Sequence, residues 1–315
     1  MSGTAHPSST KEQQCLTATS VTWSIRRPIF ERHGRWYIQF MTHPDWGTPL
    51  VMTDPYQDAG DFYAVSEGGP LGPYHQPKDE VVAAARRHVR MGASRTVDGP
   101  DGERYFYGWL LLTPAPGDTP RRRRVKQVVP QPRRVRFAED GSMQVTYHEG
   151  IERFCRAQRL AWDQLRLPQS ERWRAGDGVL IGKDFSGRSL GLWSDVYDNL
   201  ILSVRIRFLR GHRAGLTLRV DETATSGWQV VADRGQRRIE FGLLGQDPFI
   251  DARHWEPCEE FTLRVVALDE SVEVYCDDRL VIHQVRHRET SGRIGVVVER
   301  AEAQFSRQEL KTFHD

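Results

Sequence analysis

The sequence predicts an all-β protein built from two strand-rich parts. Three observations carry that expectation. Apolar and polar residues alternate with a period of two over residues 200–208, 216–220, 261–266 and 272–275, the pattern of strands with one face buried in a two-sheet sandwich. The pairs Asp101-Gly102 and Asp140-Gly141 are strong hairpin signals, because both residue types tolerate the positive φ of tight turns. Between residues 149 and 174 the texture changes, which sets a boundary between the two parts.

Taken in order, residues 1–19 are rich in Ser, Thr, Gln and Gly and read as a disordered tail. Residues 20–150 form the first module, with strands expected at 35–41, 61–66, 103–112 and 143–148, each bounded by turn residues. A helix is expected over 78–90, where Glu80, Val81, Val82 and three alanines favour it. Residues 151–172 read as a linker, and 173–315 as the sandwich.

Composition excludes several classes. With 38% hydrophobic and 27% charged residues and a net charge of +2, the 315-residue chain is ordinary for a globular protein, which argues against a dedicated nucleic-acid binder. The longest apolar runs, such as Trp109-Leu110-Leu111-Leu112, are too short to span a membrane as a helix. The polar opening has no apolar core of a secretory signal, so a cytoplasmic location is expected. Cys15, Cys155, Cys258 and Cys276 lack metal-ligand spacing; free thiols are the simplest reading, with a disulfide between any two left open. No cofactor and no metal are expected.

Several segments carry a family resemblance. Residues 25–40 place two strands around the His33-Gly34 turn, and Arg35-Trp36-Tyr37 opens the second. Residues 91–97 lead into Gly102-Glu103-Arg104-Tyr105-Phe106-Tyr107-Gly108-Trp109, followed by Val129-Pro130-Gln131-Pro132-Arg133 and Asp140-Gly141. Tyr63-Ala64-Val65-Ser66 with Gly69-Pro70-Leu71-Gly72-Pro73-Tyr74 reads as a strand and a blade-closing turn, and residues 271–278 as a strand pair of the sandwich. Together these resemble glycoside hydrolase family 32, the β-fructosidase-like enzymes. The resemblance implies a partial or degenerate five-bladed-propeller-type module followed by a concanavalin A-like β-sandwich.

The same resemblance implies lost hydrolysis. The family's catalytic acid lies two residues before a proline in such a blade, and here that position is Arg26, before Pro28. A guanidinium stays protonated and neither donates nor accepts a catalytic proton. The family's Asn-Asp-Pro nucleophile segment and its Arg-Asp-Pro sugar-holding segment have no counterpart here. A retaining glycosidase needs two carboxylates ~5–5.5 Å apart. About two blades are expected to be missing, leaving open sheet edges to be covered by a second copy or a partner chain.

The candidate ligand-binding residues are Arg26, His43, Asp45, Trp46, Tyr63 and Trp109, with no catalytic residue assigned. Arg26 offers a fixed cation; the plainer reading is a rim arginine paired with a carboxylate. His43, Asp45 and Trp46 share a loop after a strand, where functional residues concentrate, although the plainer reading is a solvent-exposed turn. Tyr63 and Trp109 supply aromatic walls, as Tyr105 and Tyr107 could, while such faces also make cores. Strand alternation sets Glu31 opposite Arg26; Glu67 is another blade-end carboxylate, and Asp58 and Asp61 read as turn caps. The basic run Arg121–Arg124 with Lys126, Arg133, Arg134 and Arg136 reads as a solvated face or as interdomain ion pairing, and Asp277-Asp278 as a hairpin turn.

Three functions follow from this reading. The first is a carbohydrate-active or carbohydrate-binding protein without fructosidase hydrolysis, a pseudoenzyme. The second is a non-hydrolytic enzyme, of cyclase or isomerase type, that reuses the sugar pocket with a small-molecule ligand. The third is a structural subunit completed by a partner chain.

Overall fold

The computed structural model describes residues 29–42, 59–77, 81–85, 90–111, 127–128, 131–167, 169–248, 250–252, 258–285 and 290–314. Almost all of them lie in β-strands or in the turns between strands, as the alternation predicts.

Two antiparallel meanders come first, each the size of a propeller blade. The first comprises β1 (Ile29–Arg32), β2 (Arg35–Thr42), β3 (Ala59–Ser66) and β4 (Val81–Ala85), paired in chain order. His33 and Gly34 close its first hairpin with φ of 52° and 73°, and Glu31 is used there, its carboxylate accepting the Gly34 amide at 2.9 Å. Strand β4 corrects the helix expected over 78–90. Two valines are β-branched, and pairing Ala59–Ala85, Gly60–Ala84 and Asp61–Ala83 satisfies the free edge of β3, a tertiary gain that outweighs alanine's helix preference.

The second meander comprises β5 (Arg90–Asp98), β6 (Arg104–Leu111), the short β7 (Gln127–Val128), β8 (Arg133–Phe137) and β9 (Met143–Thr146). Both β7 and β8 pair with β6, and β9 pairs with β8, so the sheet is four strands wide. Gly102 and Gly141 adopt φ of 78° and 84° in the two turns that the Asp-Gly pairs mark. Aromatic packing joins the meanders: Phe30 stacks on Tyr37 at 5.2 Å, and Phe137 meets Tyr37 edge-on at 5.1 Å. The Tyr37 hydroxyl donates to the Gly141 carbonyl at 3.1 Å, while the Arg104 guanidinium lies 3.4 Å over the Phe30 ring.

Residues 149–172 are not a free linker. Three 3-10 turns, Glu149–Phe154, Trp162–Gln164 and Ser170–Arg172, alternate with β10 (Cys155–Gln158) and β11 (Leu165–Arg166), and β12 (Trp173–Gly176) follows. The backbone groups of β10 and β11 are satisfied by sandwich strands, so this stretch is stitched onto the sandwich.

The sandwich proper contains β13 (Val179–Tyr197), β14 (Leu200–Arg210), β15 (Arg213–Val220), β16 (Trp228–Asp233), β17 (Arg238–Leu243), β18 (Ile250–Ala252), β19 (Glu260–Leu268), β20 (Ser271–Cys276), β21 (Arg279–Val285) and β22 (Gly292–Phe313). The long strands β13 and β22 run through both sheets. Residues 292–299 of β22 pair with β15 and the later half of β13, whereas residues 301–312 pair with β14 and the earlier half of β13. They change sheets at one corner, marked by a register shift between Asp184 and Arg188 and by Arg300 at φ 48°. Alternate residues such as Leu216, Val230, Phe241, Val296 and Val298 are wholly buried in the core. Asp277 and Asp278, at φ 47° and 65°, form the two-residue turn between β20 and β21.

The second meander docks on the sandwich through Thr146, which bridges Arg279, and through Tyr147, whose amide donates to the Asp278 carbonyl at 2.8 Å.

Candidate functional site

Four of the six candidate residues, Arg26, His43, Asp45 and Trp46, lie outside the described residues, as do Asp58, Arg121–Arg124 and Lys126. Trp109 is in β6 opposite Gly92, and its side chain lies outside the described set. Tyr63 corrects the expectation of a pocket wall. Its side chain is 0% exposed, packed in the main core, and its hydroxyl accepts the Met143 amide at 2.7 Å. A tyrosine whose polar tip is satisfied inside the molecule is a packing residue. Phe106 is also fully buried, and the Tyr105 hydroxyl donates to Asp101 at 2.5 Å. Glu67 pairs with Arg35 at 3.3 Å, and Asp61 is buried in β3.

Two polar constellations emerge from the fold. The first is closed. Arg133 on β8 and Glu273 on β20 are each 1% exposed and ion-paired, with the Arg133 Nε 3.0 Å from Oε1 of Glu273. The Tyr275 hydroxyl donates to the other carboxylate oxygen, and Gln131 donates to that same oxygen at 3.0 Å. Nη2 of Arg133 also lies 2.8 Å from Nε2 of His283. A guanidinium only donates, so the imidazole must offer a lone pair. Burial and the adjacent Arg133 charge hold His283 well below the usual histidine range, in agreement with that neutral role. Burial raises the Tyr275 hydroxyl well above its ordinary value, and Glu273 adds to the rise. This cluster is buried at the junction between blade and sandwich. Arg133 thus makes an interdomain ion pair and is not part of a solvated face.

The second constellation is open. A cleft of about 770 Å³ lies at the corner where β13 and β22 change sheets, lined by Arg188, Arg213, Gln229, Asp233, Glu240 and Glu299 among others. A row of charges crosses it from floor to mouth, read straight off the strand register. Arg238 on β17 is opposite Asp233 on β16, Asp233 opposite Arg213 on β15, Arg213 opposite Glu299 on β22, and Glu299 opposite Arg188 on β13. Directly opposed residues share a face, so five side chains of alternating sign lie side by side across five strands. A residue adjacent to each in its strand (Ala214, Ala232, Ile239, Val298 or Ser189) turns to the other face and is buried.

Arg213 holds the centre. Its guanidinium contacts Asp233 at 2.5 Å, Glu240 at 2.8 Å and Glu299 at 2.9 Å. Burial works against its charge, but the three carboxylates outweigh that cost and raise it above the ordinary arginine value. Arg238 pairs with Glu240 as well. Asp233 also accepts the Gln236 amide at 2.9 Å, which fixes the turn below the cleft. At the rim, Gly245 adopts φ +74°, and a Cβ there would collide with the Arg188 guanidinium. The left-handed backbone favours glycine at this point.

Chemically, the cleft offers fixed donors and charged acceptors at hydrogen-bonding spacing, which suits a ligand rich in hydroxyl groups. Its residues are far apart in sequence, from Arg188 to Arg300. The one local signal is a charged residue at the end of an apolar run, as in Val230-Val231-Ala232-Asp233 and Val296-Val297-Val298-Glu299. Among the described residues no group of three or more His, Cys, Asp or Glu side chains is arranged to hold a metal ion. Among the same residues no helix is long and apolar enough to cross a membrane.

No protein-family model and no curated protein matches the sequence. Solved structures do match the fold. The fructosyltransferase from A. japonicus is 10% identical with a TM-score of 0.57, covering 89% of this chain and 53% of its own. The glycoside hydrolase family 32 beta-fructofuranosidase from Bombyx mori is 12% identical with a TM-score of 0.55, covering 91% and 53%. A glycoside hydrolase family 32 structure from Bifidobacterium adolescentis is 9% identical with a TM-score of 0.53, covering 91% and 40%. The chain thus spans about half or less of the length of these proteins. At such identities the likeness is one of fold, and the fold of this chain is the propeller-and-sandwich architecture of glycoside hydrolase family 32.

Proposed function

We propose that this protein binds carbohydrate in the corner cleft of its sandwich and does not by itself hydrolyse fructosides. The observation that carries the reading is the alternating row Arg238, Asp233, Arg213, Glu299, Arg188 running from the floor to the mouth of an open cleft. Vicinal sugar hydroxyls both donate and accept, so carboxylates and guanidiniums held side by side answer them in pairs. Rigid strands and mutual ion pairing keep those groups in place before the ligand arrives, which reduces the ordering cost of binding. The fold likeness to proteins named as a beta-fructofuranosidase and a fructosyltransferase makes fructose-containing glycans the first ligands to test. Arg26 at the position of the family's acid supports a non-hydrolytic role.

Calorimetric titration with sucrose, levan, inulin and a panel of neutral monosaccharides tests the reading. Saturable binding is expected to weaken at least tenfold in Glu299→Gln, which keeps the shape of the side chain and removes its charge. No fructose should appear in the same mixtures. A Glu299→Gln variant that binds unchanged would overturn the cleft assignment, as would a folded protein that binds neither these glycans nor any acidic sugar. Fructose release would overturn the non-hydrolytic part alone.

A further inference from the structure

The charges of the cleft are not evenly spread. On the floor, the carboxylates Asp233, Glu240 and Glu299 face two guanidiniums, Arg213 and Arg238, so hydroxyl-accepting groups are in excess. At the mouth the balance reverses. Arg188 and Arg300 both line the cleft, and neither side chain makes an ion pair or hydrogen bond among the described residues. Arg188 is half-buried, held against Gly245 at the register shift of β13, and Arg300 is exposed at the left-handed bend of β22. Glu299 stands opposite Arg188, but its carboxylate is bound by Arg213. Asp247 is the one mouth carboxylate lining the cleft among the described residues, against these two cations and the exposed His212.

We infer that Arg188 and Arg300 form an anion subsite, and that the ligand is an acidic carbohydrate whose ring lies over Arg213 and Glu299 while its carboxylate meets Arg188. A planar guanidinium with no partner matches a carboxylate through two parallel hydrogen bonds. A single negative charge is favoured over a dianionic group, because the carboxylates of Glu299 and Asp247 line the same cleft and repel excess charge. This inference rests on the cleft being the carbohydrate site.

The test compares D-galacturonate and D-glucuronate with their methyl esters, which keep the ring and remove the charge, and with sodium acetate, by calorimetric titration of the full chain. Each uronate is expected to bind about tenfold or more tightly than its ester. Arg188→Gln should bring that ratio close to one, and Arg300→Gln, a change at an exposed side chain, should lower it partway. Esters and neutral sugars that bind as well as uronates would overturn the anion subsite and leave the carbohydrate reading standing. Failure of every sugar to bind would overturn both. Acetate bound as tightly as the uronates would show an ion site without sugar recognition and overturn the inference, as would a ratio unchanged in both folded variants.

Discussion

Arg188 stands directly opposite Glu299 in the β13–β22 ladder, yet the carboxylate is engaged by Arg213, 2.9 Å away on the other neighbouring strand. One acid between two arginines has bound only one of them. The bound arginine holds the cleft floor together and the other is left available at the rim, so substitutions at the two should behave differently.

Removing the central cation should be costly. Arg213→Met leaves the buried carboxylate of Asp233 without its ion-pair partner and Glu240 with Arg238 alone, a case near that of a broken buried ion pair, which costs about 3–5 kcal/mol. Urea denaturation should record a loss of that order. Arg188→Gln, with no partner to lose, should stay within about 0.5 kcal/mol of the parent protein. Equal losses at the two positions would contradict the division of labour.

Two glycines of the same cleft make a paired test of the backbone. Gly245→Ala places a Cβ on a φ +74° residue and against Arg188, and should lower stability by about 1–2 kcal/mol. Gly187→Ala meets no atom within 4 Å and has no positive φ, so its melting temperature should be nearly unchanged.

The junction between blade and sandwich should respond as a coupled unit. Arg133→Met alone strands Glu273 in the core, with an expected cost of about 3–5 kcal/mol. Adding Glu273→Gln removes the orphaned charge and should recover a substantial part of that loss. A double mutant whose cost equals the sum of the two single costs would show that Arg133 and Glu273 do not depend on each other.

His283 adds a pH dependence of definite sign. Its folded value lies well below the usual histidine range because burial, reinforced by Arg133, opposes the charged form. The unfolded chain titrates near 6.5, so below that pH it takes up a proton that the folded state refuses. The contribution is therefore complete above about pH 7 and declines as pH falls, at up to about 1.4 kcal/mol per pH unit, until the folded value is reached. Denaturant midpoints between pH 7.5 and 5 should fall for the parent protein and fall less steeply for His283→Asn. Parallel slopes in the two proteins would remove His283 from this role.

The alternation of apolar and polar residues over 200–220 and 261–275 was enough to place the sandwich strands, because a strand's two faces are written into consecutive residues. The Asp101-Gly102, Asp140-Gly141 and His33-Gly34 turns were legible for the same local reason: they need residues that accept positive φ. Local preference failed at 81–85, where backbone groups of β3 claim the segment as a strand, and at 151–172, where β13 and β22 claim it for the sandwich. Tyr63 looked like a pocket aromatic in isolation, and only the position of the Met143 amide reveals it as core.

The cleft lay beyond local reading altogether. The sequence alone shows that Asp233 and Glu299 follow apolar runs, Val230-Val231-Ala232 and Val296-Val297-Val298. It did not determine which strand neighbours which. Pairing between β13, β22, β15, β16 and β17 sets residues up to 111 positions apart, Arg188 and Glu299, into one row, because register acts between strands while periodicity acts within them. The strand faces were therefore fixed by neighbouring residues, and the alternation of charge across the sheet by tertiary structure alone.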